Sequence, residues 1–126
     1  ESYRPFAPSI LDEFKQDYFD ININESVSFM EKVFLIKKNK RKIIPAVCHY
    51  DGTGRLQTVK RNENLIFWKL INEFFKITKV PVLLNTSFNL NGEPIVESPK
   101  DAIRTFMTSG LDILVLGRYL IKKEDI

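Results

Sequence analysis

The chain has 126 residues, a mass of 14.7 kDa and a net charge of +3 from 19 basic and 16 acidic residues. This length fits one domain with a core of its own. With 44% hydrophobic and 28% charged residues, the composition excludes disordered, collagen-like and low-complexity chains. The net charge is too small to indicate a nucleic-acid-binding protein by itself.

The cysteine and histidine content excludes several further classes of site. A single cysteine excludes an internal disulfide and a Cys-only zinc site, and a single histidine excludes a multi-His metal site within this chain. No apolar run is long enough to cross a bilayer and no signal peptide precedes the domain, so we expect a soluble cytoplasmic protein that does not bind membranes. Because the first residue is not Met, we also expect a piece of a longer protein.

The N-terminal third of the chain is expected to begin with a helix and continue with a strand. Ser9 followed by Asp12 resembles a capping box, and apolar residues at helical spacing predict a helix over residues 10–18. A segment rich in Val, Phe and Ile predicts a strand over residues 29–36.

A basic run at residues 37–42 separates that strand from the next apolar segment. Residues 43–50 predict a second strand, in which Pro45 indicates an edge or a bulge. The basic run then becomes a solvated hairpin loop, although a patch for a phosphate backbone is the alternative. A turn at residues 51–54 leads into a third strand at 55–59.

The second half of the chain is expected to hold two helices and several short strands. A broad apolar face predicts a long helix over residues 64–79. Residues 80–84 are almost continuously apolar, which predicts a strand buried on both faces. Ser98 as N-cap and Pro99 in the first turn predict a helix that Gly110 ends. Three further strands are expected at residues 95–96, 112–116 and 119–121. This order indicates an α/β or α+β fold built on a mixed sheet.

Two of three polar clusters lie before and within the early strands. Arg4 stands in a Pro-stiffened segment, where its guanidinium suits a phosphate or a carboxylate, although a plain surface arginine is the alternative. His49, Arg55 and Gln57 can face one side of the sheet if the strands alternate. The alternative for this second cluster is an ordinary hairpin, with His49 as a structural hydrogen-bonding residue.

The third cluster, residues 85–89, follows directly after the most apolar strand. In open α/β sheets, ligands bind beyond the carboxyl ends of strands. The amide of Asn85, the hydroxyl of Ser87 and the N–H groups of the loop could hold a small acyl group and its phosphate. An Asx-turn or a helix N-cap is the alternative. Without a nucleophile–base pair, catalysis would rely on positioning and electrostatic stabilisation.

Seven motifs resemble, in order and spacing, the C-terminal domain of the NodU/CmcH-type O-carbamoyltransferase family. They are RPFAPS (4–9), IPAV (44–47), DGT (51–53), RLQTV (55–59), PVLLNTSFN (81–89), GEPIV (92–96) and LVLG (114–117). The resemblance implies a YrdC-like fold, a twisted mixed β-sheet with packed helices, for a single domain over residues 1–126. It also implies that an actin-like N-terminal domain, where a metal is expected, is absent from this chain.

The family resemblance further implies an enzyme that transfers a carbamoyl group from carbamoyl phosphate to a hydroxyl-bearing acceptor. ATP would be the second substrate of this domain, through a carbamoyl-adenylate intermediate. By position, Arg4 and Arg55 would hold phosphate charge, and Asn85 and Ser87 would bind the carbamoyl or nucleotide phosphate group. Three of these four would be catalytic: Arg55, Asn85 and Ser87. Further substrate-binding candidates in the same cleft are His49, Gln57 and Asn89.

Two other interpretations remain open at this point. The chain could be a YrdC-like module that binds RNA or a nucleotide without catalysis of its own, because the basic run at 37–42 and a pI near 9.0 permit it. It could also be a structural domain that braces its partner. In the leading interpretation nucleic acid is not a partner, and the isolated domain binds weakly without completing the transfer.

Overall fold

The computed structural model of the protein describes residues 6–125, which form two compact units that divide between Thr86 and Ser87. The strands of the described part are β1 Ala7–Leu11, β2 Lys32–Leu35, β3 Thr53–Val59, β4 Val82–Asn85, β5 Ile113–Leu116 and β6 Tyr119–Lys122. Its α-helices are α1 Lys15–Tyr18, α2 Leu65–Thr78 and α3 Pro99–Met107. The expected mixed α+β architecture is confirmed.

The first unit is built on a four-stranded sheet with the strand order β2-β3-β1-β4. Strand β1 runs parallel to β3, with Ser9 beside Gln57, and antiparallel to β4, with Ala7 beside Asn85. Strand β2 runs antiparallel to β3 and closes the other edge. Because β1 lies between β3 and β4, it brings together residues that are far apart in the sequence.

The helix expected over residues 10–18 is wrong in its first half. Ile10 and Leu11 lie in β1, and one 3-10 turn, Asp12–Phe14, separates that strand from α1. Ile10 packs in the core on one face of the sheet and Leu11 in the core on the other. Burial on both faces stabilises a strand here, and it outweighs the local helical spacing.

The strand expected over residues 43–50 is also wrong. The chain forms a 3-10 helix at Pro45–Val47, with the proline in the first turn, where no N–H group is needed. Ile44 and Val47 turn into the core and are buried. Without this strand there is no hairpin around the basic run, which instead contains a 3-10 turn at Lys38–Lys40.

Two further expectations about strands need correction. Strand β4 is an edge strand, and Leu84 is 46% exposed, so β4 is not buried on both faces. The strand expected at residues 95–96 is absent from the described structure. Val96 donates one backbone hydrogen bond to Phe88, 3.0 Å long, and a single bond does not make a ladder. Strands β3, β5 and β6 lie where they were expected.

The longest helix, α2, follows its sequence prediction closely. Asn64 caps its N-terminus by accepting a hydrogen bond from the N–H of Phe67 at 3.3 Å. Ile71 is fully buried and packs against Leu11 of β1 and Val59 of β3. The helix therefore covers the ends of β1 and β3 that lie nearest their C-termini.

The second unit combines α3 with a hairpin of β5 and β6. Ser98 caps α3 by accepting from the N–H of Asp101 at 3.1 Å, as its sequence predicts. Phe106 of α3 is fully buried and packs with Leu114 of β5. Gly117 supplies the positive φ of 60° that the tight turn of the hairpin requires.

Candidate functional site

Three polar side chains from three strands form a hydrogen-bonded cluster, here called the amide network: Ser9, Gln57 and Asn85. The Oγ of Ser9 donates to Oε1 of Gln57 at 2.6 Å. The Nδ2 of Asn85 donates to Oγ of Ser9 at 3.2 Å and to Oε1 of Gln57 at 3.1 Å. Ser9 is fully buried, and the two amides are half-buried. Two of the predicted site residues, Gln57 and Asn85, are thus in direct contact.

The sheet register explains why these three residues meet. Ser9 lies beside Gln57 on one side and beside Leu83 on the other. Because side chains alternate along a strand, Asn85, two residues after Leu83, points to the same face. The sequence analysis missed Ser9 as a site residue because its spacing to Asp12 suggested a helix cap. The signal that could have found it is the RPFAPS motif, which contains it.

Arg55 lies on the same face of β3 as Gln57, two residues before it, and its side chain is exposed. Within residues 6–124 it forms no ion pair. Continuing the parallel register of β1 and β3 by two residues places Arg55 beside Ala7, whose other neighbour is Asn85. Arg55 and Asn85 therefore flank a small residue, with their Cα atoms about 10 Å apart, two strand spacings. The methyl group of Ala7 leaves room between them for a small ligand.

His49 belongs to the turn that leads into β3. Its Nδ1 lies 3.2 Å from Oγ1 of Thr53, which donates its own hydrogen to Asp51 at 2.6 Å. Since that hydroxyl hydrogen goes to Asp51, the oxygen of Thr53 accepts from Nδ1–H of His49, and Nε2 is left as an acceptor in the neutral ring. The hydroxyl and the backbone N–H of Thr53 hold the pKa of Asp51 below its ordinary value.

Ser87 and Asn89 bond to each other and to their own loop in the second unit. The hydroxyl of exposed Ser87 donates to Oδ1 of Asn89. The amide nitrogen of Asn89 donates to the carbonyls of Leu90 at 3.0 Å and Glu93 at 3.1 Å. Asn89 thus stabilises the loop. The grouping of Ser87 and Asn89 with Arg55 in one site stays a prediction. Arg4 lies outside the described residues.

Two residues of the basic run, Lys40 and Arg41, make contacts within the chain. Lys40 Nζ lies 4.7 Å from the centre of the Tyr18 ring, and Nε of Arg41 donates to the carbonyl of Ile36 at 3.0 Å. The guanidinium of Arg41 also lies against Gly52, where any Cβ would clash with it. Burial raises the pKa of the Tyr18 hydroxyl. These contacts give Lys40 and Arg41 a packing role, which weakens the alternative of a phosphate-backbone patch.

Two cavities lie in the second unit, and no predicted site residue lines either of them. One, of about 400 Å³, is lined by residues of β5, β6 and the chain after them: Asp112, Ile113, Lys122, Lys123 and Glu124. The other, of about 110 Å³, lies beside α3 and includes Arg104. Within the part of the chain that the structure describes, no group of three His, Cys, Asp or Glu residues could hold a metal ion.

Comparison with protein families decides what kind of domain this is. The family described as "Carbamoyltransferase C-terminus" matches residues 1–123. The chain belongs to this family. The match covers nearly the whole chain and includes β1, β3 and β4, which carry the amide network and Arg55. The family resemblance stated for the sequence is therefore confirmed.

Individual members of the carbamoyltransferase C-terminus family are closely similar to the chain. It is 53% identical over 125 residues to nodulation protein NolNO of Sinorhizobium fredii and 49% identical over 125 residues to nodulation protein NolO of Bradyrhizobium diazoefficiens. It is also 48% identical over 122 residues to an uncharacterized protein of Methanocaldococcus jannaschii. These alignments cover 98%, 98% and 96% of this chain, but only 18%, 23% and 23% of the relatives.

The chain therefore spans about a fifth of the length of the relatives that it matches. The remaining length of those relatives is consistent with a further N-terminal part, as the resemblance implied. Among the residues that the structure describes, no helix has the length and apolar character needed to cross a membrane.

Proposed function

We propose that this chain is the part of an O-carbamoyltransferase that binds carbamoyl phosphate and ATP and forms a carbamoyl-adenylate. Membership of the carbamoyltransferase C-terminus family supports the carbamoyl chemistry. The single observation that carries the choice of ligand is the pair Arg55 and Asn85 on either side of Ala7. A guanidinium and an amide on side chains whose Cα atoms lie about 10 Å apart can reach the two ends of a small phosphorylated amide.

The proposed reaction has three steps. Water attacks the phosphorus of carbamoyl phosphate, which releases inorganic phosphate and carbamate. An oxygen of carbamate bonds to the α-phosphorus of ATP, and pyrophosphate leaves. The oxygen of an acceptor hydroxyl then bonds to the carbamoyl carbon, the hydroxyl loses its proton, and AMP leaves. Each step moves negative charge onto phosphate oxygens, so a fixed guanidinium stabilises the products as they form.

Within this scheme Arg55 binds phosphate charge and Asn85 binds the carbamoyl group. Gln57 contacts Asn85 directly, and His49 lies in the turn before β3, where its ring contacts Thr53. The roles of Arg4, Ser87 and Asn89 rest on the sequence alone. We assign the metal, the actin-like domain and recognition of the acceptor hydroxyl to the part of the longer protein outside this chain.

The test measures two activities of the full-length protein. Calorimetry gives the affinity for carbamoyl phosphate, and exchange of labelled pyrophosphate into ATP, dependent on carbamoyl phosphate, reports adenylate formation. Arg55→Ala should weaken carbamoyl phosphate binding by about tenfold or more, because a charge-assisted bond to phosphate is lost.

Arg61→Ala is the matched control, because it removes the same charge. Arg61 lies just beyond the C-terminal end of β3, where its guanidinium lies 5.3 Å from the centre of the Trp68 ring. It should bind carbamoyl phosphate like the wild type. Absence of binding and exchange in the wild type, or equal losses in both variants, would overturn the proposal. RNA affinity that falls steeply with salt in a protein without exchange activity would favour the RNA-binding module instead.

A further inference from the structure

The side-chain amide nitrogen of Asn85 is held within the amide network, whereas its oxygen is free among the described residues. A primary amide nitrogen carries two N–H groups. Nδ2 of Asn85 donates to Oγ of Ser9 at 3.2 Å and to Oε1 of Gln57 at 3.1 Å, and these two acceptors lie 2.6 Å apart. The oxygen Oδ1 has no such partner, because within residues 6–124 no donor bonds to it. Towards a ligand, Asn85 therefore offers a free acceptor.

The direction of these hydrogen bonds is set by a backbone carbonyl. Nε2 of Gln57 donates to the carbonyl oxygen of Ser28 at 3.1 Å, and a carbonyl can only accept. This contact turns Oε1 of Gln57 towards Ser9 and Asn85. Rotating the amide of Asn85 by 180° would place two amide oxygens about 3 Å apart, with neither able to donate.

The burial of Ser9 makes this direction hard to reverse. Its hydroxyl is fully buried and has one hydrogen, which goes to Oε1 of Gln57 at 2.6 Å. Its oxygen therefore accepts the N–H of Asn85. A buried polar group that loses its partner is destabilising, so a reversed network would carry at least one such loss.

We propose that Ser9 and Gln57 are positioning residues, which orient Asn85 so that its Oδ1 accepts a hydrogen bond from the carbamoyl NH₂ group. This inference rests on the proposed function and deepens it. Phosphate oxygens at neutral pH only accept hydrogen bonds, so they do not complement Oδ1 of Asn85, whereas the carbamoyl nitrogen offers two N–H donors. The carbamoyl end of the ligand thus lies on Asn85, and its phosphate end lies across Ala7, on Arg55.

Acetyl phosphate tests this assignment because it differs from carbamoyl phosphate in one group. A methyl group replaces the NH₂, and the phosphate is unchanged. A site that hydrogen-bonds an N–H rejects the analogue that lacks it, by roughly 10²-fold or more when the partner is left unpaired. The full-length wild-type protein should therefore bind carbamoyl phosphate much more tightly than acetyl phosphate.

Two variants release the amide of Asn85 without changing Asn85 itself. Gln57→Met keeps a side chain of similar length. It removes the oxygen that accepts from Asn85 and the hydrogen bond from residue 57 to the carbonyl of Ser28. Ser9→Ala removes the other acceptor and is the milder change. In Gln57→Met, Asn85 can turn its nitrogen to the ligand, so the dissociation constant of acetyl phosphate divided by that of carbamoyl phosphate should fall by about tenfold. In Ser9→Ala, Oε1 of Gln57 stays in place, and this ratio should fall less. The ratio is the informative readout, because a general loss of structure weakens both ligands together.

Thr58→Val is the matched control for the loss of a buried polar contact on β3. Thr58 neighbours Gln57 but faces the opposite side of the sheet, where its hydroxyl accepts from the N–H of Val27 at 2.8 Å. This variant should lower stability and leave the ratio unchanged.

The outcomes separate this inference from the proposed function. A wild type that binds neither phosphate compound overturns the proposed function, and the inference with it. A wild type that binds carbamoyl phosphate, but with a ratio that Gln57→Met and Ser9→Ala leave unchanged, overturns only the inference. ATP also offers N–H and O–H donors, on its base and ribose. If the two variants change the affinity for ATP and leave the ratio of the acetyl phosphate and carbamoyl phosphate dissociation constants unchanged, Asn85 binds the nucleotide. The carbamoyl assignment is then wrong.

Discussion

The two faces of the four-stranded sheet differ in what they contain. One face is an apolar core in which Ile10 of β1 and Leu56 of β3 are fully buried. On the other face, α2 covers Leu11 and Val59, and the amide network occupies the rest together with exposed Arg55. Because side chains alternate along β1 and β3, the same two strands serve both faces. The core face holds the strands in register, and that register brings the polar groups together.

The largest effect should follow from damage to the core face. Leu56→Ala leaves a cavity among fully buried side chains and should lower the free energy of unfolding by about 2–5 kcal/mol. Urea denaturation measures this change. Val33→Ala on β2 is the control, because Val33 is 49% exposed and its loss should cost much less. Similar losses in the two variants would contradict the difference between the faces.

A smaller loss is expected from the buried part of the second face. Ser9→Ala removes a fully buried hydroxyl and leaves Gln57 and Asn85 with fewer partners, so unfolding should become easier by about 1–3 kcal/mol. The same denaturation experiment measures it. A loss as large as that of Leu56→Ala would show that the network is chiefly part of the core.

The exposed part of the second face should contribute almost nothing to stability. Arg55→Ala should change the free energy of unfolding by less than about 0.5 kcal/mol, because surface substitutions away from packed features do so. Combined with a loss of carbamoyl phosphate binding, this result would separate function from folding at one residue. Marked destabilisation by Arg55→Ala would show instead that the guanidinium supports the fold.

The smallest effect concerns the turn before β3 and depends on pH. Hydrogen bonds from Thr53 lower the pKa of Asp51 in the folded chain, so the stabilisation is present above the ordinary Asp value of about 3.9. It is lost as the pH falls through the lowered pKa. NMR titration of the Asp51 carboxyl should show the low pKa, and Thr53→Val should raise it towards the ordinary value. An unchanged pKa in Thr53→Val would contradict this cause.

Local signals in the sequence were sufficient for several elements. Asn64 and Ser98 cap α2 and α3 as their positions predict, because a cap depends on contacts within four residues. Gly117 and the short strands around it also agree with the prediction, since a tight turn sets the register of its own hairpin. Gln57 and Asn85 were singled out from motif and strand position, and the structure adds that their side chains are in contact.

The errors have a common physical origin. Ile10 lies at helical spacing from its neighbours, and residues 43–50 have the apolar composition of a strand, yet each adopts another conformation in the fold. The long-range partners of these segments, such as Leu56 for Ile10, decide the outcome, and no local pattern contains them. The edge position of β4 is of the same kind, because strand order is a property of the whole sheet.

The amino-acid sequence alone determined the family, the mixed α+β class, the long helix and the residue types of the candidate site. A motif is defined by the order of its residues, so it can be recognised without the tertiary structure. Only the tertiary structure decided that Ser9 joins Gln57 and Asn85, and that the amide nitrogen of Asn85 is held in this network while its oxygen is free within the described part of the chain. The reason is that hydrogen-bond direction depends on partners 28 to 76 residues away, which only the pairing of β1 with β3 and β4 brings within reach.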